Sequence, residues 1–173
     1  VVSTGSLSSL DKLNGSRKYG AMVGKELYAP VHQHFFCARI DPIIDGVKNS
    51  VVEMNAVTED ESDENPLCNA FYFQGSRLKN ESDAQRECCP DSCRFWKIES
   101  AEKKNMLNLP TAYKLVPGVP VKPLCILKKA PFLQRAQFLA KALWVTRFDQ
   151  NENYPTGDYP NQMCHPHGLP EYA

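Results

Sequence analysis

Thirteen prolines and nine glycines are scattered through 173 residues, and they confine every regular element to a short run. Proline breaks a helix interior and cannot donate to a sheet ladder, and glycine weakens either element. The runs between them favour strands. Residues 31–40 and 51–57 are rich in β-branched and aromatic side chains, as are "NAFYFQGSRL", "CRFWKIES" and "TAYKLVPG". "DGVKNS" reads as a turn, opened by Asp45-Gly46 and closed by Asn49-Ser50. Two segments predict short helices. "NESDAQREC" offers Asn80 or Ser82 as a cap and Glu81 and Asp83 for the positive helix end. "APFLQRAQFLAKALWVT" places Phe132, Ala136, Leu139 and Leu143 on one helical face, with Pro131 in the first turn, before "LWVTRF" turns to strand character. The tail from Asp149 reads as loop. The expected fold is mainly β with one or two short helices.

The length suits one domain with a real core. A net charge of zero lacks the basic stripe of a nucleic-acid binder. No apolar run approaches the ~20 residues that cross a bilayer, and the first residues do not resemble a signal peptide. The chain begins with Val, which suggests processing or a piece of something larger. Seven cysteines are odd in number and irregular in spacing, unlike a secreted disulfide scaffold. Cys37 and Cys125 read as small buried hydrophobes. A reducing compartment follows, although the tripeptides "NGS" at Asn14 and "NES" at Asn80 match glycosylation acceptors. "TEDESDENP" reads as a solvated acidic loop.

The chemistry centres on "PVHQHFFCARIDPIIDG", residues 30–46. On a strand, His32 and His34 share a face, their Cα atoms about 7 Å apart. Phe36, Ala38 and Ile40 continue that face, so it should point into a packed interior. The pair is either half of a metal site or two core histidines. Imidazoles suit copper, zinc, iron or nickel, and a third ligand would have to come from elsewhere. A second pair, His165 and His167 beside Cys164, falls in a Pro/Gly loop. Cys88, Cys89 and Cys93 in "CCPDSC" lack the second Cys/His pair of a zinc ribbon. No nucleophile elbow, P-loop or dinucleotide fingerprint is present.

From Lys18 to Val57 the sequence resembles the copper-binding stretch of the copper-containing primary amine oxidases, the topaquinone enzymes. "NAFYFQGSRL", "TAYKLVPG", "PFLQRAQFLAKALWVTRF" and "YPTGDYPNQ" follow in that family's order. "LYAPVHQHFF" resembles the peroxisomal-type branch. The resemblance implies that residues 1–173 are a single segment of the large β-sandwich of the catalytic domain, incomplete at both ends. It implies oxidation of primary amines by oxygen to aldehyde, ammonia and hydrogen peroxide, with copper, a tyrosine-derived topaquinone and a homodimer. His32 and His34 would be two of three copper ligands. Asp41 matches a position that helps hold a peripheral cation, calcium or manganese, with the Pro42 carbonyl beside it; the further acid found there in some members is Ile43 here. The Asn-Tyr-Glu/Asp motif of the quinone, the proton-abstracting aspartate and the third histidine have no counterpart in these residues, so the segment alone should be inactive. The competing readings are a truncated, non-enzymatic β-domain that binds a metal or a partner chain, and a zinc domain built on the cysteines. The branch favours peroxisome or cytoplasm.

Overall fold

Antiparallel pairing of the β-branched and aromatic runs organises the computed structural model. It describes residues 8–9, 18–118, 121–126, 129–131, 133, 136–152, 154–162 and 167–170. The chain divides into two units, Val1–Phe36 and Cys37–Ala173.

In the first unit, β1 (Ser8–Ser9), β2 (Gly20–Met22) and β3 (Leu27–Pro30) form a sheet in the order β1-β3-β2. β2 and β3 are a hairpin, closed by Val23 and Gly24 N–H groups donating to Leu27 O at 3.0 and 3.3 Å. Gly20 permits the closest approach: a Cβ there would lie 2.1 Å from Ala29 O and 2.7 Å from the Tyr28 ring. Val31 N donates to Tyr19 O at 2.8 Å, the last bond of the ladder.

The strand expected over residues 31–40 is not there. β3 stops at Pro30, and residues 31–43 have no regular secondary structure. Their composition suits a strand, but a strand needs a neighbour to satisfy its backbone, and among the described residues none pairs with this segment. The expected interior face is consequently exposed, with Phe36 72% accessible. Cys37, expected to be buried, is exposed as well.

The second unit is built on β4 (Asn49–Thr58), β5 (Phe71–Arg77), β7 (Phe95–Lys104) and β8 (Pro110–Leu115), in the order β5-β4-β7-β8. A smaller ladder pairs β6 (Gln85–Arg86) with β9 (Leu143–Trp144). Leu78, Ala84 and Trp96 form the core, with Val51, Cys88, Leu115, Leu143, Val145 and Leu169 packed against them. The turn before β4 is as expected: Asp45 and Gly46 have positive φ (49° and 130°), and the Asn49 side chain both donates to Ile44 O and accepts from Ile44 N at 3.1 Å.

A charged knot lies within this sheet. Glu53, in β4 and buried, accepts two hydrogen bonds from Arg86 (2.7 and 2.6 Å) and one from Trp96 Nε1 (3.1 Å). Arg94 stands 3.2 Å away and also donates to Asn55 Oδ1 at 2.8 Å. Burial pushes the Glu53 carboxyl up, but the hydrogen bonds from Arg86, Asn55 and Trp96 and the Arg86 charge outweigh it and hold the pKa at about 2.

Neither expected helix forms as read. "NESDAQREC" makes one turn, with Asn80 Oδ1 accepting from Asp83 N at 2.8 Å, and then enters β6. Buried Glu81 is committed elsewhere, accepting from Arg147 N (2.9 Å) and His167 N (2.6 Å). Over residues 130–146 the helical structure among the described residues is 3₁₀ rather than α, at Pro131, Leu133 and Gln137–Ala140; Ala136 has φ −141°, Leu143 pairs with Arg86, and Phe132 lies outside the described residues. A five-residue helix, α1 (Asp158–Gln162), stands where loop was expected. The acidic side chains of residues 58–66 are exposed, as expected, and the segment is tied together by Asn65. Buried Asn65 donates to Glu59 O and Asp60 O and accepts from Asn69 N and Ala70 N, all at 3.1 Å. No helix among the described residues is long and apolar enough to cross a membrane.

Candidate metal centre

Pro30 does two things for the histidine pair. It ends β3, and its carbonyl accepts a hydrogen bond from His32 Nδ1 at 2.9 Å. A carbonyl can only accept, so Nδ1 carries the proton and Nε2 presents a lone pair. A carbonyl behind the ring is the usual support of a metal-ligating histidine. Sequence reasoning missed this contact; the proline two residues ahead of His32 was its one visible sign.

The two rings converge. His32 Nε2 and His34 Nε2 are 2.9 Å apart, the ring centroids 4.7 Å apart and the planes 67° to one another. Period-two strand geometry is not the reason, since these residues are not in a strand; the side chains rotate towards each other from an irregular backbone. Without metal, the 2.9 Å contact is a hydrogen bond in which His34 Nε2–H donates to His32 Nε2. The same spacing fits a shared ion. Two bonds of about 2.0–2.1 Å at a right angle place their nitrogens about 2.9 Å apart, whereas a tetrahedral angle separates them by about 3.3 Å. Tetragonal sites are the habit of copper(II) and nickel(II). Both histidines are exposed, so an ion can reach them.

Asp41 belongs to the second unit and is occupied differently. Arg39 Nε donates to Asp41 Oδ1 at 3.3 Å. The same guanidinium donates to the carbonyls of Asp149 (3.1 Å) and Glu152, and Glu152 Oε2 lies 3.8 Å away. Ile43 is exposed and offers no oxygen from its side chain. Among the described residues no group of three His, Cys, Asp or Glu side chains could hold a metal. Cys88, Cys89 and Cys93 do not make such a group, and His167 is exposed with its backbone held by Glu81. Cys164 and His165 lie outside the described residues.

Comparison with known proteins shows the family. A family model described as "Copper amine oxidase, enzyme domain" matches residues 1–173. The chain is 43% identical over 150 residues to N-methylputrescine oxidase 1, peroxisomal, of Nicotiana tabacum, covering 84% of this chain and 19% of that protein. It is 40% identical over 164 residues to the primary amine oxidase of Arthrobacter sp. (strain P1), covering 94% and 25%. The crystal structure of a copper-containing benzylamine oxidase from Hansenula polymorpha superposes with a TM-score of 0.70 at 30% identity, over 83% of this chain and 23% of that one. The chain thus spans 19–25% of the length of these curated relatives.

Proposed function

The chain belongs to the copper amine oxidase family, and on that premise we propose that its role is to present two copper-ligating imidazoles, His32 and His34, to an amine-oxidising active site. The reaction is oxidative deamination of a primary amine by oxygen, giving aldehyde, ammonia and hydrogen peroxide. The observation that carries the reading is the 2.9 Å convergence of the two Nε2 atoms, with His32 Nδ1 held by Pro30 O. Bound copper would supply the oxygen chemistry that, in this family, makes topaquinone from a tyrosine and reoxidises it. The chain's own residues supply the lone pairs and the outer hydrogen bond that fixes one ring.

The family's other active-site groups have no counterpart in these residues. No Asn-Tyr-Glu/Asp motif occurs in the sequence, and the only other histidines are His165 and His167. Completion requires further residues and, by family resemblance, a homodimer. For Asp41, the proposal is a peripheral calcium or manganese ion held by its carboxylate and the Pro42 carbonyl, oxygen donors that suit a hard cation. Such an ion would have to displace Arg39 from Asp41.

Metal analysis tests the copper assignment. The chain is loaded with copper(II), dialysed and compared with His32→Ala and His34→Ala. Each replacement should weaken retention by more than the roughly 10–100-fold that follows loss of a ligand's outer hydrogen bond. Equal retention by wild type and both variants would overturn the assignment. Retention of zinc by those variants would speak for the cysteines instead.

A further inference from the structure

The loop between β6 and β7 holds three thiols that the copper site does not use. It folds back on itself: Cys93 N donates to Pro90 O at 2.9 Å and Arg94 N to Cys89 O at 3.1 Å. The reversal brings the backbone at Cys93, one residue before Arg94, back towards that of Cys89. The three sulfurs have different surroundings. Cys88 is half-buried against the core, where burial raises its pKa above the ordinary value. Cys93 is exposed and has φ 47°. Cys89 is partly exposed, and the Ser92 hydroxyl and backbone, with Arg94 behind them, draw its pKa below the ordinary value. Donors and a cation beside a solvent-accessible sulfur favour the thiolate, the form that attacks oxidants. The loop is braced from below, since Arg94 Nε donates to Asn55 Oδ1 at 2.8 Å and Ser92 Oγ lies 3.0 Å from the same oxygen.

We propose that Cys89 and Cys93 form a peroxide-responsive thiol pair, with Cys89 the attacking and Cys93 the resolving residue. In the first step the Cys89 thiolate attacks one oxygen of hydrogen peroxide. The O–O bond breaks, the sulfur loses two electrons to become a sulfenic acid, and the other oxygen leaves as hydroxide and is protonated to water. In the second step the Cys93 thiolate attacks the Cys89 sulfur. The S–O bond breaks, hydroxide leaves and is protonated to water, and the disulfide forms. The balance is two thiols and one peroxide giving one disulfide and two waters. Cys88 is left out because it is partly buried and packs against the core cluster of Leu78, Ala84 and Trp96. The thiol chemistry stands apart from the proposed amine oxidation; only the source of peroxide, a product of that reaction, rests on it.

The test uses the reduced full chain with a chelator present, so that added peroxide is the oxidant whatever the fate of the copper reading. Intact mass and peptide mapping follow the products. Wild type should lose about 2 Da, with the link mapped to Cys89–Cys93. Cys93→Ser should accumulate a dimedone-trappable sulfenic acid on Cys89, and Cys89→Ser should yield neither product. Ser92→Ala should slow Cys89 oxidation several-fold. Cys68, exposed but in a different loop, is the internal control, and the same reaction in urea shows the selectivity of the unfolded chain. Oxidation of Cys68 as fast as Cys89, or a native selectivity no greater than that in urea, would overturn the proposal.

Discussion

Glu53 shows how much one residue can depend on distant ones. Its carboxyl ionises at about 2, against an ordinary value of 4.5. A depressed folded-state pKa stabilises above the unfolded value, and that contribution is lost as pH falls from about 4.5 towards 2. The shift corresponds to about 3 kcal/mol at neutral pH, of which about 2 kcal/mol is gone by pH 3. Urea unfolding at pH 7 and pH 3 should therefore show a steeper loss for wild type than for Glu53→Gln; parallel losses would contradict the role assigned to this carboxylate. None of this was legible in "VVEMNAV". Alternation places Glu53 on one face of β4, but its partner Arg86 lies 33 residues downstream, and local patterning carries no information about such a pairing. The histidine pair was legible as a pair of imidazoles, because residue type and proximity suffice for that. Its exposure and its Pro30 support were not.

At the scale of elements, β4, β5, β7 and β8 were readable because β-branched and aromatic runs lay between turn residues and found partners in the same chain. Residues 31–40 have the same composition and no partner strand among the described residues, so composition alone misled. The two predicted helices failed for a related reason. Arg86 and Leu143 pair across β6 and β9, and that pairing overrides a local helical period. The hairpin of β2 and β3 carries the chain into the histidine segment, and Gly20 sets its spacing. Gly20→Ala would put a methyl 2.1 Å from Ala29 O, a backbone atom that cannot rotate away. It should cost about 1–3 kcal/mol locally and loosen copper binding through Pro30. Faster amide exchange at Ala21 and Val31, with β4 unchanged, is the expected signature; unchanged exchange at both would contradict it.

At the scale of the whole molecule, the second unit leaves apolar surface on its outer strand. All seven residues of β5 are exposed, among them Phe71, Tyr72 and Phe73. Unpaired edges and apolar faces invite association. Sedimentation at rising concentration should show the isolated chain self-associating, and a monodisperse monomer throughout would count against that. Under the proposed function these 173 residues supply two copper ligands, so the copper half-site is the claim the chain can be asked about directly. The most direct measurement is electron paramagnetic resonance of the chain with one equivalent of copper(II), natural or ¹⁵N-labelled at histidine. Coupling to two imidazole nitrogens in wild type, falling to one in His32→Ala and in His34→Ala, is the predicted result. A spectrum unchanged by either replacement would contradict the account.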